Sequence, residues 1–191
     1  MRWLTLYARS RQVPASLAAV VLSAVAVWAL VRDGGGGPVD PKVPVFVLVA
    51  GVTAASIGLG GQDLALDRTA AIRWRPRRAA HVLLIGTVVC AVLLAARTTG
   101  AELAATAFVV RDSAGLMGLV ALGAVACGAR YAWTPPIAWL SFSVFAPPPT
   151  GVPTQVATWM LLPPGTPTAT WTALVLATAG TAAYALAGPR R

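Results

Sequence analysis

The sequence predicts an all-α integral membrane protein: one domain over residues 1–191 with six transmembrane helices, both termini cytoplasmic, an N-terminal interfacial helix and a re-entrant outer segment before the last span. Three observations predict it. Hydrophobic residues make up 57% of the 191 positions and charged residues 11%, and the mean hydropathy is +0.72, far more apolar than an ordinary globular domain. The apolar residues are gathered into runs close to the ~20 residues that cross a hydrocarbon core. The basic residues stand at the ends of those runs, so the formal charge of +9 reads as topology. No nucleic-acid-binding motif accompanies that charge, and nucleic acid is not an expected partner.

The chain opens with "MRWLTLYARSR". Arg2 and Arg9 fall on one helix face, with Trp3 and Tyr7 roughly opposite, the pattern of a helix lying in a membrane interface. No A-x-A-like cleavage site closes the apolar run that follows, so a signal peptide is not expected. The spans are expected at about 14–31, 43–61, 79–96, 113–130, 134–146 and 169–187. The glycine run "DGGGGP" (33–38) reads as a flexible outer loop. The stretch "AELAATAFVV" (101–110) is too short to cross and is expected at the outer face. The fifth span is short and bracketed by prolines, and counting charge favours a crossing there. With six spans, eleven of the fifteen basic residues lie inside (Arg2, Arg9, Arg11, Arg68, Arg73, Arg75, Arg77, Arg78, Arg130, Arg190 and Arg191), as cytoplasmic loops require. Between that span and the last, "PPPTGVPTQVATWMLLPPGTPTAT" (147–170) holds an apolar centre with Trp159 and Met160. Irregular backbone there cannot face lipid, so a short re-entrant helix is expected.

Small residues four apart, at Ala50, Ala54 and Gly58 and again at Ala124 and Gly128, mark either a helix-packing seam or simply an Ala/Gly-rich composition. Cys90 and Cys127 sit in apolar runs and read as small buried hydrophobes. Arg111 and Asp112 read as a helix start near the outer face. The single histidine, His81, reads as an interfacial side chain.

Charge is densest between spans two and three, in "LDRTAAIRWRPRRAAHVLL" (66–84), where five arginines fall within eleven positions. Asp63 and Asp67 precede the arginines, an order that suits the dipole of a short helix, which Pro76 is expected to end. The bland account is a positive-inside anchor on anionic lipid; the functional one is a docking helix for a cytoplasmic partner.

This order of parts resembles the permease subunit of ATP-binding-cassette transporters of the type-2 exporter class, and "RDSAGLMGLVALGA" and "YALAGPRR" are similar to small actinobacterial membrane proteins of that kind. The resemblance implies a coupling helix between spans two and three that docks on a separate nucleotide-binding ATPase, with Asp67, Arg68, Arg73, Arg75, Arg77 and Arg78 at the matching positions. It also implies pairing with a second permease copy or a paralogue, ATP and Mg held by the partner subunit, and a place in the bacterial cytoplasmic membrane. No cofactor or metal is expected in this chain. It has no G-x-x-x-x-G-K-[ST] for ATP, no H-E-x-x-H or G-x-S-x-G, and no intramembrane carboxylate pair, so an enzyme is not expected. Span interiors without ionisable groups also argue against an ion-coupled carrier. The second reading is a non-transporting accessory or scaffold subunit in the same membrane.

Overall fold

The computed structural model describes residues 42–59, 74–97 and 104–190, together with Ala18, Val21 and Val25, which are helical and exposed. Among the described residues the fold is all helical, with no strand. In chain order the helices are α1 (Lys42–Ser56), α2 (Trp74–Arg97), α3 (Thr106–Ala126), α4 (Thr134–Phe145), α5 (Val152–Ala157) and α6 (Pro167–Ala187), with single 3-10 turns at Ile57–Leu59, Ala129–Tyr131 and Trp159–Leu161. Among the described residues four segments are long and apolar enough to cross a membrane, Lys42–Leu59, Arg75–Ala95, Thr106–Ala126 and Pro167–Ala187, which is compatible with a multi-pass membrane protein. Of the expected first span only Ala18, Val21 and Val25 are described, and the interfacial helix with Arg2, Trp3, Tyr7 and Arg9 lies outside the described residues.

α3 is the enclosed centre of the bundle, and α1, α2, α4 and α6 pack around it. Its core residues Leu116, Val120, Ala121 and Ala124 have no exposure. The outer helices each turn one apolar face away from the core, with Leu83 and Leu84 on α2, Phe142 and Phe145 on α4, and Trp171 and Val175 on α6 exposed. A helix apolar all round is stable with such faces only in an apolar solvent or against a partner.

The tightest contact is between α3 and α6, where glycines let backbone meet backbone. A Cβ on Gly118 would strike the Leu176 carbonyl, and one on Gly180 would strike the Gly118 carbonyl. Gly115 extends the same seam, facing Ala173 and the ring of Trp159. Close approach of this kind multiplies van der Waals contact, the main force between helices in lipid.

The observed elements depart from expectation at two boundaries. α3 begins at Thr106, seven residues before 113, so residues 106–110 are its first turns and not a separate outer stretch. α2 begins at Trp74 and carries Pro76 as its third residue; Pro76 does not end a helix. Proline is tolerated there because the N–H it lacks has no intrahelical acceptor in a first turn. α4 keeps its expected bounds to within one residue; its 12 residues rise about 18 Å at 1.5 Å per residue, against a core of about 30 Å.

Candidate functional site

Two ends of the bundle carry the polar structure. At the first, α1 stops in the turn Ile57–Leu59, whose carbonyls would be orphaned by the end of the helix. Side chains from two other helices take them up. His81 on α2 donates Nε2–H to Gly58 at 2.9 Å, and Tyr184 on α6 donates its hydroxyl to Leu59 at 2.8 Å. Both residues are buried, so His81 is a structural tie and not the interfacial side chain expected. α6 ends at Gly188, whose φ of 69° suits glycine. The Arg78 guanidinium lies where a Cβ on Gly188 would sit, 2.8 Å away, and its charge favours a helix C-terminus. The Arg190 N–H then returns to the Ala124 carbonyl at 3.0 Å, tying the tail to the end of α3.

Arg75, Arg77, Arg130 and Arg190 are exposed at this same end, with the Arg130 guanidinium 5.8 Å from the Tyr131 ring centre. Of the proposed docking residues, Arg75 and Arg77 face outward on the first turn of α2. Arg78 is half-buried against α6 and engaged within the chain. Asp67, Arg68 and Arg73 lie outside the described residues.

At the opposite end, the segment after α4 folds back into the bundle. Trp139 Nε1 and Ser143 Oγ both donate to the Ala157 carbonyl at 2.8 Å, fixing the end of α5 against α4. Trp159 and Met160 then point inward with no exposure. The Trp159 ring and Ala173 both lie against Gly115, about 14 Å along α3 and 9 Å along α6 from their starts at 1.5 Å per residue. The segment is thus ordered, short and driven between helices.

Arg111 and Asp112, read from sequence as a helix start, sit on the second turn of α3 and are buried, with side-chain exposures of 7% and 0%. Arg111 Nε donates to Asp112 Oδ1 at 2.6 Å. Its two other nitrogens reach three backbone carbonyls, Pro163 at 3.1 Å, Leu162 at 2.8 Å and Trp159 at 3.4 Å. The guanidinium also lies 5.2 Å from the Phe108 ring centre. The signal for this cluster was present as adjacent opposite charges with apolar residues on both sides, "AFVVRDSAGLM".

No family model matches this chain, and no curated protein or solved structure matches it.

The expected seam on α1 is only partly the packed face, since Ala50 is exposed while Gly51 is buried, where an added Cβ would lie 3.5 Å from Val89 Cγ1. Ala124 is buried within α3, and Gly128 lies beyond its end with φ 93°. Cys90 is half-buried and Cys127 exposed, so Cys127 is not the buried hydrophobe expected. It falls in the turn that follows α3, outside the packed core. Among the described residues no group of His, Cys, Asp and Glu could hold a metal ion.

Proposed function

We propose that this chain is the membrane-spanning permease subunit of an ABC exporter, working as one of two permease halves in the bacterial cytoplasmic membrane with a separate ATPase that binds ATP and Mg. The carrying observation is the pair Arg75 and Arg77, exposed on the first turn of α2 directly after the arginine-rich connection, at the end where Arg130 and Arg190 also lie. That end would face the cytoplasm and the ATPase. The folded-back segment with Trp159 would be the re-entrant outer element. In a six-span topology, α4 crosses with the help of the irregular residues 146–151, whose polar backbone must be satisfied by protein. The apolar linings of the bundle fit a lipid-like or otherwise amphipathic cargo better than a small ion.

Two experiments test this reading. Affinity purification from native membranes should recover a nucleotide-binding protein, and Arg75→Gln/Arg77→Gln should reduce that recovery. Two charge-assisted contacts of about 1.5–3 kcal/mol each correspond to a loss of tens- to thousands-fold in affinity. Full recovery at matched expression would leave the arginines as a lipid anchor. For topology, a tag after residue 191 should be shielded from protease added to intact cells, and one at Gly35 should be cleaved. Cleavage of the C-terminal tag would remove the six-span arrangement.

One observation favours the second reading, an accessory or scaffold subunit. The α3–α6 seam is closed by direct backbone contact, which suits a holding role. Transport by the purified complex in liposomes separates the two.

A further inference from the structure

We propose that Arg111 and Asp112 form a latch that holds residues 159–163 on α3 and sets the shape of the outer pocket above them. Consecutive helix residues do not face each other, so their pairing requires Arg111 to turn along its own helix toward a fully buried carboxyl. Nε is occupied by Asp112, which aims both Nη atoms at the carbonyls of Trp159, Leu162 and Pro163. Those carbonyls belong to the 3-10 turn Trp159–Leu161 and the residues after it; Trp159 and Pro163 also accept from the Leu162 and Thr166 N–H groups at 3.3 and 3.4 Å, so Arg111 adds a further donor to each of them and one to the Leu162 carbonyl. One guanidinium thus supplies partners for a segment about fifty residues away in sequence.

The latch also joins two walls of one cavity. A pocket of about 400 Å3 opens between the starts of α1 and α3 and the segment 161–164, lined by Pro44, Ala105, Phe108, Leu161, Leu162 and Pro163. Arg111 stacks under Phe108 on one wall and bonds Leu162 and Pro163 on the other. Releasing the guanidinium loosens both. Closure is not fully satisfied, either. Asp112 Oδ2 and Trp159 Nε1 are buried without a hydrogen-bond partner among the described residues, and unpaired buried groups raise the free energy of the arrangement that buries them. Arg111 adds the polar hold that, beside the buried Trp159 ring and the Trp139 and Ser143 bonds to Ala157, keeps the segment closed against that cost.

The test is hydrogen exchange of the full-length protein, read at residues 155–162, whose amides at Gln155, Thr158, Leu161 and Leu162 are hydrogen-bonded to the carbonyls of Gly151, Thr154, Thr158 and Trp159. Arg111→Gln is expected to accelerate exchange there at least tenfold, while residues 178–187 of α6 keep wild-type protection. Arg111→Lys should resemble Arg111→Gln, because one ammonium cannot hold an acidic partner and span three carbonyls; it carries the test if Arg111→Gln does not accumulate. Asp112→Asn, which keeps an acceptor oxygen, should give a smaller rise. Unchanged exchange at 155–162 in the arginine variants would overturn the latch. Equal acceleration at 178–187 would also overturn it, since it would mark general loss of the bundle.

Discussion

Gly118→Ala should cost about 3 kcal/mol or more, the upper part of the range for overpacking a filled interior, although it adds one methyl group. The new Cβ would meet the carbonyl carbon and oxygen of Leu176 and, at 2.5 Å, the Cα of Ala177. These are backbone atoms, so no rotamer change relieves the clash. α6 must move away from α3. That movement also opens the Gly180–Gly118 contact and withdraws Ala173 from Gly115 and Trp159, so one methyl loosens the whole seam. In detergent the thermal midpoint should fall by about 6–12 °C, at 2–4 °C per kcal/mol for a chain of this size. Gly86→Ala is the control. Its Cβ would sit 3.3 Å from the flexible Met117 side chain, and alanine favours a helix over glycine by roughly 0.5–1 kcal/mol, so its midpoint should hold or rise. Equal midpoints for Gly118→Ala and Gly86→Ala would show that the seam does not bear on stability.

Much of this arrangement is legible in the sequence, because a long apolar run leaves a chain few options but a helix. α1 and α6 lie within two residues of their expected starts for that reason. α3 was less legible at its beginning. Arg111 and Asp112 look like a boundary when each residue is weighed alone, yet they neutralise each other and spend the remaining donors on carbonyls near residue 160, a partner that no local window contains. The same nonlocality hid the fate of Arg78. Its neighbours Arg75 and Arg77 are exposed as a surface helix requires, while Arg78 is drawn to the end of α6 more than a hundred residues on. The glycine seam is written in "GLMGLVALG", with Gly115 and Gly118 three apart on one helix face, but the small-residue spacing expected to pack, at Ala50, Ala54 and Gly58 and at Ala124 and Gly128, misses it. Only the partner surface on α6 distinguishes such spacing from an Ala/Gly-rich composition.

Trp159→Ala should destabilise the bundle by about 3–5 kcal/mol, the cost of removing a large buried aromatic side chain. Trp159 has no exposure, and the positions against it, Gly115 and Ala173, are too small to collapse into the space. Trp159→Phe should cost less, because it keeps most of the packing and removes an indole N–H that has no partner among the described residues. The pairing of ring and glycine makes a sharper expectation. In the wild-type protein Gly115→Ala would place its Cβ 2.6 Å from Trp159 Cη2 and 3.0 Å from Ala173 Cα, so it should destabilise. In a Trp159→Ala background the first contact is gone and the second needs only a small shift, so the same methyl then fills part of a cavity. Its effect should reverse sign. The double-mutant cycle should therefore return a coupling of about 1–3 kcal/mol in favour of the pair of small residues, in the range for residues in direct contact. Additive thermal midpoints would mean that Trp159 does not occupy the α3–α6 seam, and the segment after α4 would then be a surface loop with no hold on the helices beneath it.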